Sequence, residues 1–260
     1  MSLSISLRIT INRNLFINRF VNYAAATIIC VICFFSQTHA QQHRRAVNIA
    51  GQRAVVVDER LAALRESPDV SGRLVHRLNR GRAIGILGAR RVPNGLLFYR
   101  VAVTLRTRGW LQSDSVVAPA RAGEDERLWR LVQGSEGFDQ LARARIFLDL
   151  FPRSNLRPAV LMLYGDTAEE AATKLSRDAT RRLTEREMTA GGAPVFSYYM
   201  NFNELDRYNK QGVAFAFDST ARAFHYDGAS WREIVRRYPR SIEAAQARTR
   251  LGSRQATAGR

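Results

Sequence analysis

Between Ala54 and Val117 short apolar runs alternate with turn residues: AVVV at 54–57, RAIGILG at 82–88, NGLLFYRVAVT at 94–104 and RGWLQSDSVV at 108–117. In FYRVAV, Tyr99, Val101 and Val103 fall on one face, and Phe98, Arg100 and Ala102 on the other, the period-2 pattern of a half-buried strand. Gly81, Gly85, Gly88, Gly95 and Gly109 punctuate the segment at turns and bends. Short strands at this spacing predict a small barrel or sandwich. In it Leu64 and Leu74 would fill the core, Gly109 would let the chain turn, and His76 would be a partly buried strand residue.

Beyond APARAGEDE, a linker with an acidic helix start, the period changes to 3.6. Leu141, Ala144, Leu148 and Phe151 share one helical face, and Val160, Leu163, Tyr164, Ala168, Ala171 and Leu175 form a second stripe. Trp231, Ile234, Val235 and Tyr238 form a third, followed by Ala244, Ala247 and Leu251 on a last helix. FPRS at 151–154 and YPRS at 238–241 each separate two of these patterns. In both, an aromatic closes the first helix, proline stops it, and Ser154 or Ser241 can cap the next. Between the two lies TEREMTAGGAPVFSYYMNFN, which reads as a long loop because of Gly191, Gly192 and Pro194. Val213, Phe215, Phe217, Phe224 and Tyr226 then alternate, predicting a β-hairpin that leaves through Asp227-Gly228, with an amphipathic helix as the competing reading.

Several residues of the first part fall in a familiar order: Ala63-Leu64-Arg65, Ser67-Pro68, Ser71, Leu74, Leu78, Gly81, Gly85-Ile86-Leu87, Phe98-Tyr99-Arg100-Val101 and Arg108-Gly109-Trp110-Leu111. The pattern resembles the bacterial SH3-like (SH3b) domain over residues 54–118, departing from it at ARRVPNGLL, a longer and more basic connection. The resemblance implies a non-catalytic binding module, often attached to cell-wall proteins. Phe98, Tyr99, Arg100 and Trp110 are then its candidate ligand-binding residues, the aromatics lining a peptide groove. The alternative places Tyr99 and Trp110 in the core, because small barrels need large side chains inside, and leaves Phe98 at the surface. The helix–aromatic–Pro–x–Ser–helix junctions resemble tetratricopeptide (TPR) hairpins over about 138–183 and 229–252.

The N-terminus sets the expected compartment. Arg8, Arg13 and Arg19 precede an apolar block, Ala24–Phe35, and small residues stand at Thr38 and Ala40. That is the layout of a secretory signal peptide over 1–40, followed by a flexible basic leader over 41–53. The block is shorter than the roughly 18 apolar residues of a membrane span. Cleavage after Ala40 and no stable membrane anchor are expected, with an uncleaved anchor as the alternative. Cys30 and Cys33 lie inside the apolar block, so this C-x-x-C serves there as apolar packing rather than as a dithiol or half a zinc site. A cleaved chain would carry no thiol nucleophile and no disulfide.

The chain carries 40 Lys+Arg against 23 Asp+Glu, a net charge of +17. Nearly all the cations are arginine, Lys174 and Lys210 being the only lysines. Such a protein seeks polyanions, which after export means anionic envelope polymers rather than nucleic acid; base composition of the genome would also account for scattered arginines. The usual catalytic signatures are missing: no H-E-x-x-H, no G-x-S-x-G, no phosphate loop. Glu169-Glu170 and Asp58-Glu59 are adjacent acids that point apart, expected to be solvated.

The expected fold class is multidomain α+β. The order is an SH3-like β-barrel over 54–118, a linker and helix start over 119–137, and a mainly α-helical TPR-like domain over 138–260 with an inserted β-hairpin. The expected function is that of an exported, periplasmic or extracellular, non-catalytic binding or scaffold protein with no cofactor or metal. Its partners would be a protein or peptidoglycan peptide. The alternative is a cell-wall hydrolase, or its accessory subunit, with an unrecognised site in 184–230.

Overall fold

The computed structural model describes residues 50–258, with side chains through 253. The expected signal peptide and most of the leader lie outside the described residues. The described residues fall within one compact unit of mixed α+β class. Its first part is a seven-stranded antiparallel sheet in the order β3-β2-β6-β5-β4-β1-β7. The strands are β1 Arg53–Val56, β2 Ala63–Arg65, β3 Leu74–Arg77, β4 Ala83–Arg91, β5 Leu97–Ala102, β6 Arg108–Gln112 and β7 Val116–Val117. One face is packed with Ala54, Val56, Leu64, Ile84, Ile86, Tyr99, Val101 and Leu111. The period-2 reading of β5 holds on this face for Tyr99 and Val101. β6 crosses so close to β2 that a Cβ on Gly109 would stand 2.7 Å from the Arg65 carbonyl oxygen, so glycine is required immediately before Trp110.

Several local expectations are corrected. Leu74 is 47% exposed, because β3 is an edge strand whose four residues all face solvent; His76, on the same strand, is exposed too. The end of the leader is held: Gly51 N donates to Ile86 O and Ile86 N to Gln52 O, extending the β1–β4 ladder. ARRVPNGLL begins as strand, β4 running through Arg91, and its middle is the turn to β5, in which Gly95 takes φ 87°.

The second part holds eight helices among the described residues: α1 Glu124–Gln133, α2 Gly137–Leu150, α3 Arg157–Arg182, α4 Glu185–Gly191, α5 Val195–Met200, α6 Leu205–Asn209, α7 Ala229–Arg237 and α8 Ile242–Ala258. Three acids in the first turn of α1 complement its positive end, and Pro158 opens α3 where no backbone N–H is needed. α3 is the axis: α2, α7, α8 and the hairpin β8 Phe215–Asp218, β9 Ala223–Tyr226 all pack on it. The hairpin, and not the helix, is what forms, with register Phe215↔Tyr226 through Asp218↔Ala223.

Both FPRS and YPRS join antiparallel-contacting helix pairs, α2–α3 and α7–α8. At the first, Ser154 Oγ accepts from Leu156 N at 3.2 Å and donates to Asp125 at 2.7 Å. At the second, the Ser241 hydroxyl is buried without a hydrogen-bond partner, so the expected side-chain cap is not made there. Ala244 and Ala247 are fully buried, letting α8 lie close against α7. The segment 184–203, expected as a loop, contains α4 and α5. Gly192, at φ 73°, ends α4, and Pro194 stands just before α5. These residues punctuate helices rather than prevent them.

Sheet and helices share a core: Val57 and Val117 belong to the same cluster as Leu128, Leu141 and Phe147. Arg143, only 4% exposed, reaches across from α2, its Nε donating to Val57 O at 3.0 Å and Nη1 to Ser135 Oγ. Arg80 meets Asp139 at 2.9 Å. No described helix is long and apolar enough to cross a membrane.

Candidate functional site

Strand register brings the candidate residues of the sheet into rows. Arg65 of β2 lies opposite Trp110 of β6, Trp110 opposite Arg100 of β5, and Arg100 opposite Gly88 of β4. Directly opposed residues share a face, so Trp110 is flanked by two arginines. Arg90 pairs with Phe98, and Arg108 with Ala102, which puts both on this same face on either side of Arg100. The face is turned away from the sheet's own core. Arg90, Arg100 and Arg108 are exposed, and among the described residues none has a carboxylate within ion-pair distance; Arg65 donates to Gly72 O at 2.6 Å.

The four candidates therefore separate. Arg100 is exposed and Trp110 is half-buried. Tyr99 is 2% exposed and belongs to the core; its hydroxyl bonds Arg121, and burial pushes its pKa up. Phe98 occupies the outer-face register expected of it, yet it is also 2% exposed, so it cannot serve as a surface aromatic. The alternation gave its direction correctly; what covers it was not in the strand's own sequence.

A second concavity, about 880 Å³, opens between α3, the hairpin, α7 and α8. α3 supplies Asp166, Glu169, Glu170 and Thr173, an i, i+3, i+4, i+7 stripe; the hairpin supplies Asp218 and His225. Glu169 is not a free solvated acid as expected. Its Oε1 lies 2.9 Å from His225 Nδ1 and its Oε2 accepts from Tyr226 N at 2.8 Å. Ser176 Oγ accepts from Phe224 N at 2.7 Å, so two side chains of α3 satisfy the outer backbone amides of β9 and fasten the hairpin. Asp218 accepts from Thr220 N and Ala221 N, which hold its carboxyl below the usual range. Arg250 of α8 pairs with Asp166 at 3.0 Å.

This cleft has a histidine–carboxylate pair, but His225 Nε2 is buried with no hydrogen-bond partner among the described residues. Through His225 Nδ1 and Tyr226 N the pair fastens the hairpin to α3, and among the described residues no hydroxyl or thiol stands within hydrogen-bond reach of Nε2. Among the described residues no group of three or more His, Cys, Asp or Glu is placed to hold a metal ion. Sequence reasoning missed the Glu169–His225 pairing because the two stand 56 positions apart. The polar stripe on α3 was the one local signal.

No family model matches the chain, and neither a curated protein nor a solved structure matches it.

Proposed function

We propose that the chain is an exported, non-catalytic binding and scaffold protein of a bacterial cell envelope. In this reading an SH3-like sheet recognises wall peptide or a protein partner, and TPR-like helix pairs carry a second protein contact. The observation that supports it best is the outer face of the sheet. Guanidinium groups there stand beside Trp110 without carboxylate partners, an arrangement suited to holding an anionic ligand by charge-assisted hydrogen bonds. The apolar block before Ala40 is what supports export.

Sedimentation of the full chain with purified peptidoglycan, at about 0.15 M and about 0.5 M salt where screening lengths differ, tests the reading. Retention at both is expected. No retention at either would overturn wall recognition, and retention lost entirely at the higher salt would reduce it to surface charge. A second reading, a wall hydrolase or its accessory subunit, draws on the His225–Glu169 pair in the cleft. A clearing band in a zymogram that disappears in Glu169→Gln would favour it.

A further inference from the structure

The register of β4, β5 and β6 places three arginines in a line. Arg100 stands at the centre of β5. Arg90 on β4 is opposite Phe98, two residues to one side, and Arg108 on β6 is opposite Ala102, two residues to the other. Each is therefore a diagonal cross-strand neighbour of Arg100, at about 7–8 Å. The line runs obliquely across three strands, all three side chains are exposed, and none is paired to an acid among the described residues. Trp110 lies directly beside its midpoint, with Arg65 beyond.

We propose that this diagonal binds an extended peptide bearing carboxylates on alternate residues, an inference that rests on the sheet face being the recognition surface. Alternate side chains of an extended chain are about 6.4–6.8 Å apart on one side, close to the spacing of the arginines. A Glu-x-Glu-x-Glu segment thus sets its three carboxylates over Arg90, Arg100 and Arg108 in one straight pass. Guanidinium takes carboxylate in a bidentate fork, and the half-buried Trp110 offers apolar surface to the aliphatic part of the middle residue.

The alternative polyanion on such a face is single-stranded nucleic acid. It needs successive aromatic platforms for its bases. Among the described residues Trp110 is the only aromatic this face offers, because Phe98 on the same face is 2% exposed. Charge complementarity and spacing therefore favour the acidic peptide.

The test is fluorescence anisotropy of the full chain with labelled Glu-Gly-Glu-Gly-Glu, with Glu-Glu-Glu-Gly-Gly of equal charge, and with an oligothymidylate. Expected are tighter binding of the alternating peptide than of the blocked one, and a roughly tenfold loss in Arg100→Gln, the size of one charge-assisted hydrogen-bonding group. Arg236→Gln, an exposed arginine on α7, should change nothing. Both substitutions are at the surface, and circular dichroism confirms the fold. Equal affinity for the two peptides, no effect of Arg100→Gln, or tighter binding of the oligothymidylate with the same dependence on Arg100 would each overturn the proposal. If the peptides fail while peptidoglycan still sediments the chain, this inference falls and the recognition reading stands. If sedimentation fails as well, both fall.

Discussion

Gly165 stands where α7 crosses α3, and replacing it by alanine sets two physical effects against each other. Within a helix, glycine to alanine should stabilise by about 1 kcal/mol, through lower backbone entropy in the unfolded chain. Here an added Cβ would stand 2.5 Å from Ser230 Oγ and 2.8 Å from Trp231 Cε2, and nearer still to Trp231 Nε1. The indole has no room to yield. It is 1% exposed and held edge-on against Tyr226, ring centroids 5.4 Å apart. Overpacking of this kind costs about 1–3 kcal/mol, and a clash with a rigid ring belongs at the upper end. The net expectation is a destabilisation of about 2 kcal/mol, or a fall in Tm of about 4–8 °C for a unit of this size. Gly252 in α8 is the control: a Cβ there meets nothing within 4 Å, so Gly252→Ala should be neutral or stabilise by up to about 1 kcal/mol. Urea unfolding of both variants, and of Gly165→Ala in a Trp231→Phe background, reads the effect. Phenylalanine lacks the indole nitrogen, so the penalty should shrink there by a measurable coupling energy. Stabilisation of Gly165→Ala matching that of Gly252→Ala, or an undiminished penalty beside Phe, would refute the reasoning.

Three other outcomes follow from the interior charges. Arg143→Met should destabilise by about 3 kcal/mol, since it strips donors from Val57 O and Ser135 Oγ and leaves Asp58 short of one cation; unchanged urea unfolding would contradict this. The hydrogen bond from Arg60 holds the Asp58 carboxyl below its ordinary value. A depressed carboxyl stabilises the fold above its unfolded pKa of about 4 and loses that contribution as pH falls through the folded value. Stability measured from pH 7 to pH 3 should therefore drop less steeply in Asp58→Asn than in the parent; equal slopes would exclude the effect. Glu169→Gln should raise amide exchange selectively over 223–226, because a neutral amide holds the Tyr226 N–H and His225 less strongly; exchange unchanged there would mean the hairpin is fastened by its apolar side alone.

Much of the local structure was legible because it is written in periods. Tyr99 and Val101 face the core as alternation requires, and Leu141 and Ala144 are buried on α2, although Leu148 and Phe151 of the same stripe are only partly buried. Punctuation was harder. Gly191, Gly192 and Pro194 suggest a loop over 184–203, but Gly191 is the last residue of α4, Gly192 caps it, and Pro194 stands just before α5. Edge position was invisible: Leu74 is a good core residue by type and is exposed only because β3 has no neighbour on one side. The same holds at Ser241, whose residue type suggests a cap that α8 does not use. At the candidate site, Arg100 and Trp110 were identified one strand apart, while the diagonal through Arg90 and Arg108 depends on register across three strands. Register there is set partly by the irregularity between Ile86 and Gly88, which a linear pattern does not reveal.

The most direct measurement is a hydrogen-exchange footprint of the full chain with and without soluble peptidoglycan fragments. Protection concentrated on β5 and β6, residues 97–102 and 108–112, with β4 beside them, is the expected result. Protection confined to the cleft residues 166–173 and 216–225, or none anywhere in the sheet, would contradict the claim that the outer face of the sheet is where this protein recognises its ligand.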